Sequence, residues 1–243
     1  MKLLNIDQNA KTKKGQKKGF MTAILYLAPA NQSGINVCPN ASAGCAAACL
    51  YTSGMGVFEN VKNARIAKTQ ALFANKHLFI DTLKAEIKAA ILKAEKKGLE
   101  LVVRLNGTSD LPWETLFPMN EFPKTQFYDY TKSPFRMNKF LGGSMPKNYH
   151  LTFSLSETNM PLAMAVLKQG GNVAMVFGTK DVTKFPKKHM GFKVVNGDEN
   201  DLRFKDPKNV IVGLKMKGKA IYYTTGFVQP CGDMEAMKLA VNA

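Results

Sequence analysis

Short apolar runs alternate along this chain with longer stretches of helical spacing. Residues 20–27 (FMTAILYL), 101–107 (LVVRLNG), 126–130 (QFYDY), 150–156 (HLTFSLS), 172–178 (NVAMVFG), 191–197 (GFKVVNG) and 209–215 (NVIVGLK) read as seven strands. Several are apolar almost throughout, as strands buried on both faces of a parallel sheet must be. Residues 221–227 (IYYTTGF) read as an eighth strand or a closing hairpin. Helices are predicted from Gly44, over 58–73, over 77–97 and over 160–170. The clearest is 77–97, where Phe79, Ile80, Leu83, Ile87, Ala90, Ile91 and Ala94 form one stripe. Lys96 and Lys97 suit its negative C-terminal end, and Gly98 stops it.

Strands separated by helical crossovers define an α/β protein. The expectation is a TIM-barrel-like parallel barrel, full or partial, in a single domain over residues 19–243. Residues 1–18, rich in lysine, are expected to be a basic flexible tail. In a barrel, chemistry sits where strands end at their carboxyl side. Those ends are polar here, reading RLNGTSD, YDYTK, SLSE and VVNGDEND. Arg104, Asn106, Asp110, Asp129 and Lys132 are the expected pocket residues, with turn, cap and ion-pair roles as the competing reading. Ser156 and Glu157 read first as a helix cap, and Asp198, Glu199 and Asp201 as a solvated turn.

The cysteines add the chemistry. Cys38, Cys45 and Cys49 fall within twelve residues, and Cys231 stands near the other end. Four thiolates make a full shell for zinc or for an iron–sulfur cluster. The spacing is C-x6-C-x3-C with no CxxC pair, and His77, His150 and His189 have no ligand-like spacing, which disfavours zinc. A [4Fe–4S] cluster accepts ligands from an irregular loop and a distant segment, so Cys38, Cys45, Cys49 and Cys231 are the expected ligands. A helix from Gly44 would set the Cys45 and Cys49 sulfurs on one face. Barrel closure would carry Cys231 to Cys38.

Net charge is +16, from 34 basic against 18 acidic residues. That favours a polyanionic partner, but 30 of the basic residues are lysine and only four are arginine. Arginine is the better fork for phosphate and base edges, so nucleic acid is only weakly supported as a partner. No apolar run has the length of a membrane span, and the first residues lack the apolar core of a secretory signal. The expected location is the cytoplasm, where clustered cysteines favour metal or redox roles over disulfides.

A cysteine loop after the first strand of a parallel α/β barrel resembles the radical-SAM superfamily, although C-x3-C-x2-C is that superfamily's motif and it is missing here. The segments CPNASAGCAAACL and VRLNGTSDLPWE resemble the gene product 88 family of phage and plasmid proteins. That resemblance implies a phage or mobile-element origin and a host-cell cytoplasmic location, and carries no reaction with it. The expected function is an iron–sulfur protein with a redox, electron-transfer or sensing role, served by a redox or host protein partner. One alternative is a radical-type enzyme using three of the cysteines. The other is a nucleic-acid-binding protein with a structural metal site.

Overall fold

In a computed structural model describing residues 1–222 and 226–231, the elements follow one another as β1 (Leu4–Ile6), α1 (Ala10–Gln16), β2 (Phe20–Leu25), α2 (Ala43–Ala47), α3 (Glu59–Ala74), α4 (Lys76–Glu95), β3 (Glu100–Arg104), α5 (Trp113–Leu116), β4 (Gln126–Thr131), α6 (Pro134–Leu141), β5 (Tyr149–Ser154), α7 (Met160–Lys168), β6 (Val173–Phe177), β7 (Lys188–His189), β8 (Phe192–Asn196), β9 (Val210–Lys215) and β10 (Val228–Gln229). Short 3-10 turns fill several of the connections. All seven expected strands form. Gly98 takes φ 64°, the left-handed turn that ends α4 and aims the chain into β3.

The strands make one sheet in the order β1-β2-β3-β4-β5-β6-β9-β8-β7. From β2 through β8 every neighbour is parallel, while β1 and β7 pair antiparallel at the two edges. Strand β10 pairs parallel with the carboxyl end of β6. The sheet is therefore α/β but, among the described residues, not closed. The expected closure fails because β1 takes the free side of β2, and because β9 lies inside the sheet, between β6 and β8. First and last long strands are not neighbours. The expected strand or hairpin at 221–227 falls partly outside the described residues, and its opening residues belong to a 3-10 turn, Gly218–Tyr222.

Residues 1–18 are not a flexible tail. Leu3 and Leu4 are buried, and the Glu86 carboxylate of α4 accepts both their N–H groups at 2.7 and 2.8 Å. Lys68, itself buried, donates to the Leu3 carbonyl at 2.7 Å. Asn9 caps α1 through the Thr12 N–H, with Thr12 returning the bond to the Asn9 N–H. The chain's charge had hidden two ordered elements.

Side-chain alternation divides the sheet into two faces. Val103, Phe127, Leu151, Phe153, Met175 and Ile211 join the main core with α4, α6, α7 and Trp113. On the opposite face, Phe20, Val102 and Tyr128 pack against Leu202 and Phe204. That face is covered by α1 and by residues 197–206. Lys11 reaches across to the Gly197 carbonyl at 3.0 Å and to Asp198 at 2.9 Å, and Gly15 leaves room for Leu202. Asp198 and Asp201 are consequently buried in ion pairs, not a solvated turn: Asp198 with Lys11 and Lys217, Asp201 with Arg104.

Candidate functional site

The cysteine loop leaves the carboxyl end of β2 and is held at several points. Thr69 of α3 accepts the Ala28 N–H at 2.9 Å. Thr108 donates its hydroxyl to the Leu27 carbonyl at 2.6 Å, and the Asp110 N–H reaches the Val37 carbonyl at 2.9 Å. The RLNGTSD segment after β3 thus forms the floor of the loop. Gly107 is required there, since a β-carbon would stand 2.6 Å from the Leu25 carbonyl oxygen.

Glu157, from the β5–α7 connection, clamps the other end. Its carboxylate accepts the Ser42 hydroxyl at 2.7 Å and the Gly44 N–H at 2.6 Å, while the Ser42 oxygen accepts the Cys45 N–H. Burial works against the Glu157 charge, but these bonds outweigh it and hold the carboxyl below its ordinary value. A β-carbon on Gly44 would lie 2.8 Å from the Glu157 carboxylate. Gly44→Ala is therefore expected to dislodge the clamp and cost about 1–3 kcal/mol, read as a lower urea midpoint at unchanged slope. An unchanged midpoint would show that the clamp does not hold the loop.

Cys38 lies between two backbone groups: the Ala30 N–H points at its sulfur at 3.4 Å, and the thiol faces the Thr108 carbonyl at 3.6 Å. Burial pushes the Cys38 thiol up to about 11, Ala30 works against this, and Cys49, Cys45 and Asp110 push it further. Cys49 is likewise raised, first by burial; Cys45 adds to the shift, while the Tyr51 backbone, Lys132 and Arg65 oppose it. The three thiols are thus electrostatic neighbours with two cations beside them. Cys49 differs from expectation in one respect. The helix α2 stops at Ala47 and Cys49 has extended backbone, φ −56° and ψ 141°, so Cys45 and Cys49 are not an i,i+4 pair.

Cys231 is buried, and its thiol donates to the Lys184 carbonyl at 2.9 Å. None of the four cysteines is in a disulfide. Among the described residues no three His, Cys, Asp or Glu side chains stand together so as to hold a metal ion. The expectation of a metal centre ligated by all four cysteines is corrected by that finding.

The expected pocket residues separate into three places. Arg104 is on the face toward α1, paired with Asp201 at 3.3 Å and lying 4.7 Å over the Tyr130 ring. Asn106, Asp110 and Asp129 face the helices. There the Asn106 N–H donates to Asp129 at 2.7 Å, Tyr149 donates to Asp129 at 2.8 Å, and Arg136 binds Asp110 at 2.6 Å. These three are latches, not a pocket. Lys132 turns toward the cysteine loop, near Cys49 and the Phe227 ring. His150 is packed edge-on against Phe140, and burial lowers it to about 4.

Sequence reasoning missed a cavity of about 220 Å³ beside the loop, bordered by Pro29, Gln32, Tyr51, Lys62 and Arg65. Its one legible signal was that Arg65 is among only four arginines.

An open, largely parallel α/β sheet carrying a thiol-rich loop at its carboxyl edge is the class of protein these features define. The chain belongs to the gene product 88 family, whose family model matches residues 1–235. No curated protein and no solved structure matches it, and the resemblance to the radical-SAM superfamily finds no support in these comparisons. No helix among the described residues is long and apolar enough to cross a membrane.

Proposed function

We propose that this chain is an iron–sulfur protein in which Cys38, Cys45 and Cys49 close on a cluster as it loads, with a redox, electron-transfer or sensing role. The observation that carries the reading is the gathering of three of the chain's four thiols on one clamped loop, within electrostatic reach of one another. The residues suit such a group: thiolates are its ordinary ligands, the Ala30 N–H already points at the Cys38 sulfur, and Lys132 and Arg65 offset thiolate charge. Burial favours the thiol form of Cys38 and Cys49, so loading must release their protons. Cys231 is left out of the ligand set, its thiol being engaged by Lys184. When bound, a cluster of this kind supplies one-electron chemistry.

A second reading, a radical-type enzyme, is favoured by the same exclusion of Cys231. Three protein ligands leave one iron of a cubane open.

Anaerobic reconstitution with ferrous iron and sulfide is the test. The expected product is brown and carries about four irons per chain. Single serine replacements of Cys38, Cys45 or Cys49 are expected to abolish the visible absorption, and Cys231→Ser to retain it. A colourless product, or iron lost on Cys231→Ser, overturns the three-thiol site.

A further inference from the structure

The four arginines are treated unequally by the fold. Arg104, Arg136 and Arg203 each pair with an aspartate, at 3.3, 2.6 and 3.3 Å respectively. Arg65 has no acidic partner among the described residues. Its guanidinium lies 5.0 Å over the Tyr26 ring, and two of its nitrogens, Nε and Nη1, are buried without an acceptor. Guanidinium groups do not lose their charge in proteins, so in this half-buried one the two enclosed nitrogens without an acceptor are a standing cost. Burial depresses the Arg65 pKa, in keeping with a cation that lacks a counter-charge.

Arg65 borders the cavity of about 220 Å³ between α3 and the loop. Ala28, Pro29, Gln32 and Tyr51 line it from the loop, and Glu59, Lys62, Arg65 and Ile66 line it from α3, so an incoming anion must displace the Glu59 carboxylate from Lys62. Lys62 stands one helical turn before Arg65 on the same helix and brings a second cation; its own carboxylate neighbour, Glu59, is exposed and 3.5 Å away. Tyr51 and Gln32 add hydrogen-bonding groups. A cavity of this size is below that of a drug-sized ligand site and takes a compact molecule or one end of a larger one.

We propose that this cavity is a binding site for the anionic group, a carboxylate or a phosphate, of a small molecule, held by Arg65 and Lys62. The charge-assisted bonds from Arg65 supply affinity, and the apolar wall at Ala28, Pro29 and Ile66 admits a short uncharged stem. The proposal does not depend on a cluster: with the thiols unloaded, Arg65 has no acidic partner among the described residues. The site still shares a wall with the loop, because Arg65 acts on Cys49 and Tyr51 is two residues beyond it.

The test is isothermal titration of the full chain, without iron, with inorganic phosphate, succinate and adenosine monophosphate, at fixed ionic strength so that the net charge of +16 does not masquerade as a site. Binding of at least one at about 1 mM or tighter is expected. Arg65→Gln is expected to weaken it about tenfold or more, Lys62→Gln severalfold, and the exposed Lys88→Gln on α4 not at all. Phosphate alone indicates a phosphate site, and succinate alone a carboxylate site. Lack of binding by all three overturns the proposal, as does equal weakening by Lys88→Gln. Should Arg65→Gln fail to fold, the contrast between Lys62→Gln and Lys88→Gln decides. Failure here leaves reconstitution of the thiols untouched, so the two readings are separable.

Discussion

Arg136→Met is expected to lower folding stability by about 3–5 kcal/mol. Arg136 is one of the most enclosed charges in the protein, with its side chain 4% exposed. Nη1 binds Asp110 at 2.6 Å, while Nε and Nη2 grip Glu114 at 3.0 and 2.9 Å. Nη2 also donates to the Tyr149 hydroxyl at 2.7 Å. Methionine keeps much of the stem volume but leaves two carboxylates buried without a cation. The loss should extend to the cysteine loop, because Asp110 holds the chain on both sides. Its carboxylate accepts the Lys132 N–H at 2.8 Å, and its own N–H reaches Val37, next to Cys38. Urea unfolding gives the number, and alkylation of Cys38 under native conditions should quicken. Adding Asp110→Asn and Glu114→Gln removes the stranded charges and is expected to restore part of the loss, since groups in one network are not additive. A single-variant cost under about 1 kcal/mol would show that the network is ornamental to folding.

How much of this was readable beforehand depends on what each residue's role rests upon. The seven strands were legible because a parallel strand with both faces covered must be apolar along its length, and nothing else in the chain looks like NVAMVFG or NVIVGLK. The edges were not legible. Strand β1 has three residues, and α1 reads AKTKKGQ, whose buried positions, Thr12 and Gly15, are not hydrophobic. Sheet order was hidden as well, since the insertion of β9 between β6 and β8 leaves no local mark. At the candidate site, residue type was legible and direction was not. Arg104 ends β3 and Asp129 lies in the second half of β4, yet alternation sends one toward Asp201 and the other toward Tyr149. Glu157 was read as a cap for its own helix and proves to cap α2, more than a hundred residues earlier. Arg65 could not have been singled out by sequence, because what distinguishes it is the partner it lacks.

Asp129→Asn is expected to flatten the pH dependence of stability between about pH 4 and pH 7. Asp129 is 1% exposed, and burial pushes its carboxyl from 3.8 up to about 7. Arg104, the Asn106 N–H, Arg136 and Tyr149 pull the other way without cancelling it. The sign follows from proton counts. Between those two values the unfolded chain has released the Asp129 proton and the folded protein still holds it, so the folded state binds more protons and loses stability as pH rises. The contribution is fully present below the unfolded value and is spent once pH passes the folded one, a span worth on the order of 4 kcal/mol at 1.4 kcal/mol per pKa unit. Asp206, raised to about 6 chiefly by burial, acts in the same sense, whereas Asp198, held at about 2, contributes stability lost only as pH falls below the ordinary carboxylate range. Wild type minus Asp129→Asn isolates the one group. Asparagine still offers Oδ1 to the Asn106 N–H, so the variant is expected to fold. Urea midpoints taken at half-unit steps from pH 4 to pH 8 should show a decline steeper in the wild type than in the variant, which keeps the contribution of Asp206. Parallel curves would mean that Asp129 is ionised throughout the window, its charge carried by Arg104 and Arg136.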